Sequence, residues 1–294
     1  MFAPPPPPAA VVAAPAAAPT LESAFTLASF SARRVSAPET VLAGEAPVDD
    51  KLAALDAIQS KIPNASKAEK VAALDALTAA ASSAKQPPEV RAKALTYAGY
   101  AMNQVEDDAA RSRALTAVLA ALKLPPYRIF ALRGLGPGAH GTPKADEPRF
   151  QAALLDLLDG DAAGEERETA LVALFAFVST RDDLAKRAPA LVAELDKRLL
   201  GPVEADPARF VADPRFTPGA RAMTAAIVWS SARHREELGQ PAAGARVHAL
   251  LARLVAVETD ATTLGWLKTY LGAAPAKPAK PAAKPSPRRR GGDA

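Results

Sequence analysis

The chain has no cysteine, which excludes a disulfide framework, a thiolate metal site and a cysteine nucleophile. Aromatic residues make up only 5%, and the runs of Val, Ile, Thr and Tyr that favour strands are missing. Histidine is nearly absent too, with three copies in 294 residues. His234 and His248, with Glu236 and Glu237 near, are the one set that helices could bring together, and no tight ligand spacing supports a metal there. No apolar run is long enough to span a bilayer. The start, M-F-A-P-P-P-P-P, lacks the basic and apolar regions of a secretory signal. Cytoplasmic location is therefore the default, with export left open if the start codon is mis-assigned. Neither a nucleophile with its base nor a dinucleotide fingerprint is present. No catalytic residue, cofactor or metal ligand is assigned, and the chain reads as a non-enzyme.

What the chain has in quantity is alanine and leucine, which points to helix. The Ala, Pro and Arg usage also resembles that of a GC-rich bacterial coding sequence. Within it a short signature recurs: a basic residue, two others, then Ala-Leu. It begins at Lys51, Lys70, Arg91, Arg111, Arg128, Arg149 (as R-F-Q-A-A), Arg167 and Arg187, in steps of 17 to 21 residues. It returns at Arg246, with a looser form at Arg221. A helix of three to four turns plus a short connection takes roughly 20 residues, so each copy marks one helix. Apolar residues keep helical spacing, as in Leu115, Val118, Leu119, Leu122 and in Val247, Leu250, Leu251, Leu254. Units that cannot bury an apolar face alone must stack on their neighbours. The expectation is an all-α body, an α-solenoid of about eleven helices in antiparallel pairs. The alanine of each signature lets helices approach closely, while the stem of the basic residue covers apolar surface and its charge reaches solvent.

Three regions follow. Residues 1–47 are a Pro/Ala-rich arm expected to be disordered, with one helix-compatible island from Leu21 to Arg34. Residues 48–272 are the helical-repeat domain. Residues 273–294 are a basic tail of Lys, Pro, Ala and Arg, also expected to be disordered. Lys277, Lys280, Lys284, Arg288, Arg289 and Arg290 face a single acid, Asp293, so the tail carries +5 while the whole chain carries +4. The remainder is then close to neutral, at −1, and has no surplus from which to build a basic nucleic-acid groove. The tail itself is a polyanion-binding candidate for nucleic acid or another polyanion.

Two places break the beat. Arg133 to Lys144 is rich in glycine but departs from the phosphate-loop pattern, and reads as a flexible connector. Gly201 to Gly219 is the longest insertion and repeats D-P-A-R-F at Asp206 and D-P-R-F at Asp213. With E-P-R-F at Glu147, these read as helix starters, an acidic cap followed by proline. Asp107-Asp108 and Asp182-Asp183 read as caps as well. Long insertions in repeat arrays often carry function, and Phe and Arg are enriched at interface cores. Arg209, Phe210, Arg215 and Phe216 are therefore the protein-binding candidates, the competing reading being that the phenylalanines only plug the break. Trp229 and Trp266 are placed in the core.

The segment P-P-E-V-R-A-K-A-L-T-Y-A-G, Pro87 to Gly99, carries V-R-x-x-A in the second helix of a pair and resembles HEAT repeats. G-E-E-R-E-T-A-L at Gly164 and G-A-R-V-H-A-L at Gly244 match in part, and the resemblance spans residues 48–272. It implies a superhelical scaffold that binds another protein, and it transfers no catalytic residue. The alternative is a nucleic-acid-associated protein tethered through the tail.

Overall fold

The computed structural model describes residues 37–162 and 164–272. The Leu21–Arg34 island and the six basic tail residues from Lys277 to Arg290 lie outside the described residues. Described helices run α1 (Pro38–Ala43), α2 (Val48–Lys61), α3 (Lys67–Ser82), α4 (Pro88–Met102), α5 (Asp108–Ala121) and α6 (Pro125–Gly138). They continue with α7 (Glu147–Asp159), α8 (Gly164–Ser179), α9 (Leu184–Arg187), α10 (Pro189–Leu195), α11 (Gly201–Ala205) and α12 (Pro207–Ala212). The last three are α13 (Pro218–Glu237), α14 (Pro241–Val257) and α15 (Ala261–Gly272). A π-helical turn, Asp196–Leu200, joins α10 to α11 without a break. The fold is all-α, with no strand among the described residues. None of the described helices is long and apolar enough to cross a membrane.

The signature fixes a register within each helix. Lys51, Lys70, Arg91, Arg111, Arg128, Arg167 and Arg221 are each the fourth residue of their helix. The Ala-Leu pair then falls one turn later and points inward: Ala94, Leu95, Ala114, Leu115, Ala131, Leu132, Ala170 and Leu171 are all buried. A cation in a first turn sits badly with the helix dipole, so its position needs a reason. The side chain turns back to the carbonyls that end the preceding helix or begin the connection. Arg128 Nε donates to Leu122 O at 3.0 Å, Arg167 to Ala162 O at 2.9 Å and Leu158 O at 2.6 Å, and Arg221 to Phe216 O at 2.7 Å. Arg91 reaches Ala81 O and Arg111 reaches Val105 O in the same way. The expectation that these charges reach solvent is thus corrected for Arg91, Arg111, Arg128, Arg167, Arg221 and the buried Lys51, while Arg149 and Arg246 are exposed as expected: orphan carbonyls at helix ends need donors, and a charged donor is worth about 1.5–3 kcal/mol. Arg149, Arg187 and Arg246 break the series, as the third residue of α7, the last of the four-residue α9 and the sixth of α14.

Packing runs to the chain neighbour and to the next helix but one. Helices α2, α4, α6, α8, α13 and α15 each pack on the next of that row, while α3 and α5 pack on each other beside it. Backbones come into direct contact where α4 meets α6, and this explains most of the glycines. Gly134, Gly136 and Gly138 lie inside α6, followed by a 3-10 turn over Ala139–Gly141. A Cβ on Gly134 would stand 2.9 Å from the carbonyl oxygens of Leu95 and Thr96. One on Gly99, Gly138 or Gly141 would run into the facing backbone. The flexible connector expected from Arg133 to Lys144 is therefore a helix and two 3-10 turns, with Gly134, Gly138 and Gly141, though not Gly136, required by contact rather than by freedom.

Other boundaries move as well. The packed helices begin at Pro38, before Val48: Leu42 of α1 is buried, and its carbonyl accepts from Gln86 Nε2 at 2.6 Å. Gln86 in turn accepts from Lys51 Nζ at 2.9 Å. The insertion from Gly201 to Gly219 is not an open loop either, since α11 and α12 fill it up to Asp213. Asp107 and Asp206 cap α5 and α12 as expected, accepting from Ala110 N and Arg209 N. Glu147 and Asp213 do not start helices by capping. Glu147 is buried and held by Arg181 at 2.7 Å and by Arg187 at 2.9 Å, whereas Asp213 pairs with Arg215 in a turn. Asp183 likewise pairs with Arg187 rather than capping. Trp229 is partly buried against the core, but Trp266 is 51% exposed and stacks only on Tyr270.

Candidate functional site

The second break in the repeat opens a cleft of about 380 Å³ between α7, α8, the π turn, α12 and the segment before α13. Local sequence builds it. Pro202 and Pro207 each stand early in a short helix, where the missing N–H costs little. Asp206 caps α12, which sets Arg209 in the first turn and turns Phe210 inward. The π turn brings Leu199 and Arg198 to the wall opposite. A π turn inserts one extra residue into the helical ladder and so re-aims the side chains that follow it.

Phe210 is buried, at 4% exposure, and its ring centroid lies 4.5 Å from that of the half-buried Phe216. Arg167 lies over the ring of Phe216, its guanidinium carbon 4.6 Å from the centroid. Leu158 and Leu171 complete an apolar floor. Around the rim stand Arg198, Arg209 and Arg215, with Asp159, Asp206 and Asp213 between them. Arg198 pairs with Asp156, Asp159 and Glu194. Arg215 pairs with Asp213 at 2.7 Å, and that hydrogen-bonded contact holds the Asp213 carboxyl below the usual carboxylate range. Burial, with repulsion from Arg215 added, pushes the Arg167 guanidinium below the usual arginine range.

All four residues expected to bind protein thus line one cleft: Arg209 and Arg215 exposed at the rim, Phe210 in the floor and Phe216 between. The burial of Phe210 gives it a packing role that the plug reading anticipated. Sequence reasoning did not assign Arg167 or Arg198 to this place. Arg167 was visible as a signature residue, but nothing in one sequence tells which copy faces a cleft.

Two other features are apparent. An apolar pocket of about 320 Å³ lies between Trp229, Val247, Leu251 and Tyr270, with Glu236 and His248 at its edge. His234 faces Asp182 at 3.5 Å. Among the described residues no group of three His, Asp or Glu is placed to hold a metal ion. No protein-family model, curated protein or solved structure matches the chain.

Proposed function

We propose that the chain is a non-enzymatic, HEAT-like helical-repeat scaffold that binds another protein, with the cleft at the second break as its recognition region. The observation that carries this reading is the juxtaposition of exposed Arg209 and Arg215 with Phe210 and Phe216 on a single concave surface. Arginine and aromatic side chains around a desolvated centre are what interface hot spots use. The interruption of a regular helical array at this point supports it, because irregular insertions on rigid scaffolds are where binding residues concentrate.

The test is capture of partners by the purified full-length chain against an Arg209→Glu/Arg215→Glu double variant. Both side chains are exposed, so the melting temperature should stay within a few degrees, and a specific partner should be lost. A capture profile identical for the two proteins removes the reading. The second reading, attachment to nucleic acid through the tail, rests on the +5 concentrated in residues 273–294. It requires polyanion binding that falls steeply with salt and disappears when those residues are deleted. Retention by the variant lacking the tail would end that reading alone.

A further inference from the structure

Four guanidinium groups line the cleft, those of Arg167, Arg198, Arg209 and Arg215, beside the carboxylates of Asp159, Asp206 and Asp213, but the pairing among them is uneven. Asp159 pairs with Arg198 at 3.0 Å, and Asp213 with Arg215 at 2.7 Å. Asp206 accepts from Arg209 N as the cap of α12 and makes no ion pair with the Arg167 or Arg209 guanidinium. Arg167 and Arg209 are left with no carboxylate within ion-pair distance among the described residues. For Arg209, exposed to water, that is unremarkable. For Arg167, only 2% exposed, it is costly, because a buried charge without a paired counter-ion is unfavourable and the more distant Asp213 and Asp159 offset only part of the burial.

Two arginines of the same register have the carboxylate that Arg167 lacks, whereas the less buried Arg91 makes do with Ala81 O, Tyr127 Oη and the Tyr127 ring. Arg221, 8% exposed, is gripped by Glu258 through bonds of 2.7 and 2.8 Å. Arg128 has Asp161 and Glu166 at 3.2 and 3.1 Å. Arg167 has two carbonyls and the face of Phe216, and its Nη1 meets no acceptor among the described residues. The side chain lines the cleft together with Leu171, Leu199 and Phe210. An anion reaching Arg167 through the cleft would therefore be bordered by hydrocarbon. A doubly charged group would also face Asp159, Asp206 and Asp213, which favours a single negative charge.

We propose that this cleft seats a carboxylate carried on an apolar body, with Arg167 binding the carboxylate, Arg209 adding charge from the rim, and Leu171, Leu199 and Phe210 receiving the hydrocarbon. The inference rests on the reading of this cleft as the recognition region and narrows the chemistry of its occupant. That chemistry has two sources: the carboxy-terminal residue of a partner chain, or a free organic acid.

The full-length chain is titrated by NMR with hexanoate, hexanamide, inorganic phosphate, and a short peptide ending in Ala-Leu as free acid or as amide. Saturable shifts in α8 and α12 are expected for hexanoate or the free-acid peptide, and for neither amide. Arg209→Ala should weaken binding about tenfold, and Arg167→Gln should abolish it. If Arg167→Gln does not fold, Arg209→Ala with the acid–amide comparison decides. Equal binding of acid and amide, phosphate binding as tightly as hexanoate, or no binding by either acid overturns the proposal. Binding of hexanoate without the peptide supports the carboxylate seat and removes a partner's carboxy-terminal residue as its occupant. Loss of the seat leaves the partner reading to the charge-reversal capture, so the two fail separately.

Discussion

At the scale of single residues, the contact between α4 and α6 gives the sharpest expectation. Gly134→Ala places a methyl 2.9 Å from two carbonyl oxygens of α4, and backbone cannot step aside as a side chain tip can. Overpacking of this kind costs about 1–3 kcal/mol. Gly136, two residues on in the same helix, would bring its Cβ within 3.8 Å of Val172 only, an ordinary contact. Gly136→Ala should therefore stabilise by about 0.5–1 kcal/mol through helix propensity. Urea melts of the two variants should move in opposite directions, and a matching loss in both would discount the close-approach account. The buried pair Arg221–Glu258 sets a pH dependence. Burial pushes the Glu258 carboxyl up, but the Arg221 guanidinium and the N–H groups of Asp260 and Thr259 outweigh it and hold it below the usual range. A depressed folded value means the contribution is complete above the unfolded value of about 4.3 and is lost as pH falls through the folded one. Thermal melts from pH 6 to 3 should show a shallower acid decline for Glu258→Gln, starting from a lower plateau.

Across whole elements, the recurring arginine acts as a clamp between consecutive helices. Arg128 joins the end of α5, through Leu122 O, to Asp161 before α8 and Glu166 within it. Arg128→Met keeps the stem and removes every polar bond, so a loss of about 1–3 kcal/mol is expected, with far-UV helicity unchanged. If Arg128→Met melts like the parent, the clamp contributes nothing and the stem alone explains the signature. The helix α12 belongs to this scale too. Phe210 is the one large apolar side chain of α12 that is buried, so Phe210→Ala should cost about 3–5 kcal/mol. The rim variants Arg209→Glu and Arg215→Glu should instead leave stability nearly intact. A neutral Phe210→Ala would detach the cleft floor from the core.

For the whole described domain, the first question is where folding begins along the chain. A chain starting at Pro38 should melt higher than one starting at Val48, because the second lacks α1, the burial of Leu42 and the Leu42 O–Gln86 bond. Equal melting temperatures would show that α1 adds nothing. The all-α class, the positions of most helix starts and the inward-facing leucines were legible beforehand, since periodicity and the signature are properties of neighbouring residues along the chain. Asp107 and Asp206 could be read as caps because capping is completed within three residues. The role of Glu147 could not, because its partners Arg181 and Arg187 stand more than thirty residues away. The same limit hid Gly134 and Gly138 of α6, whose need is set by the backbone of α4, and it hid Arg167, whose charge is like that of its repeats and whose lack of a paired carboxylate is visible only in space. Local pattern determined which segments are helices; long-range packing decided which identical-looking residues became clamps, close contacts or an open seat for an anion, because burial and pairing depend on what the rest of the chain brings near.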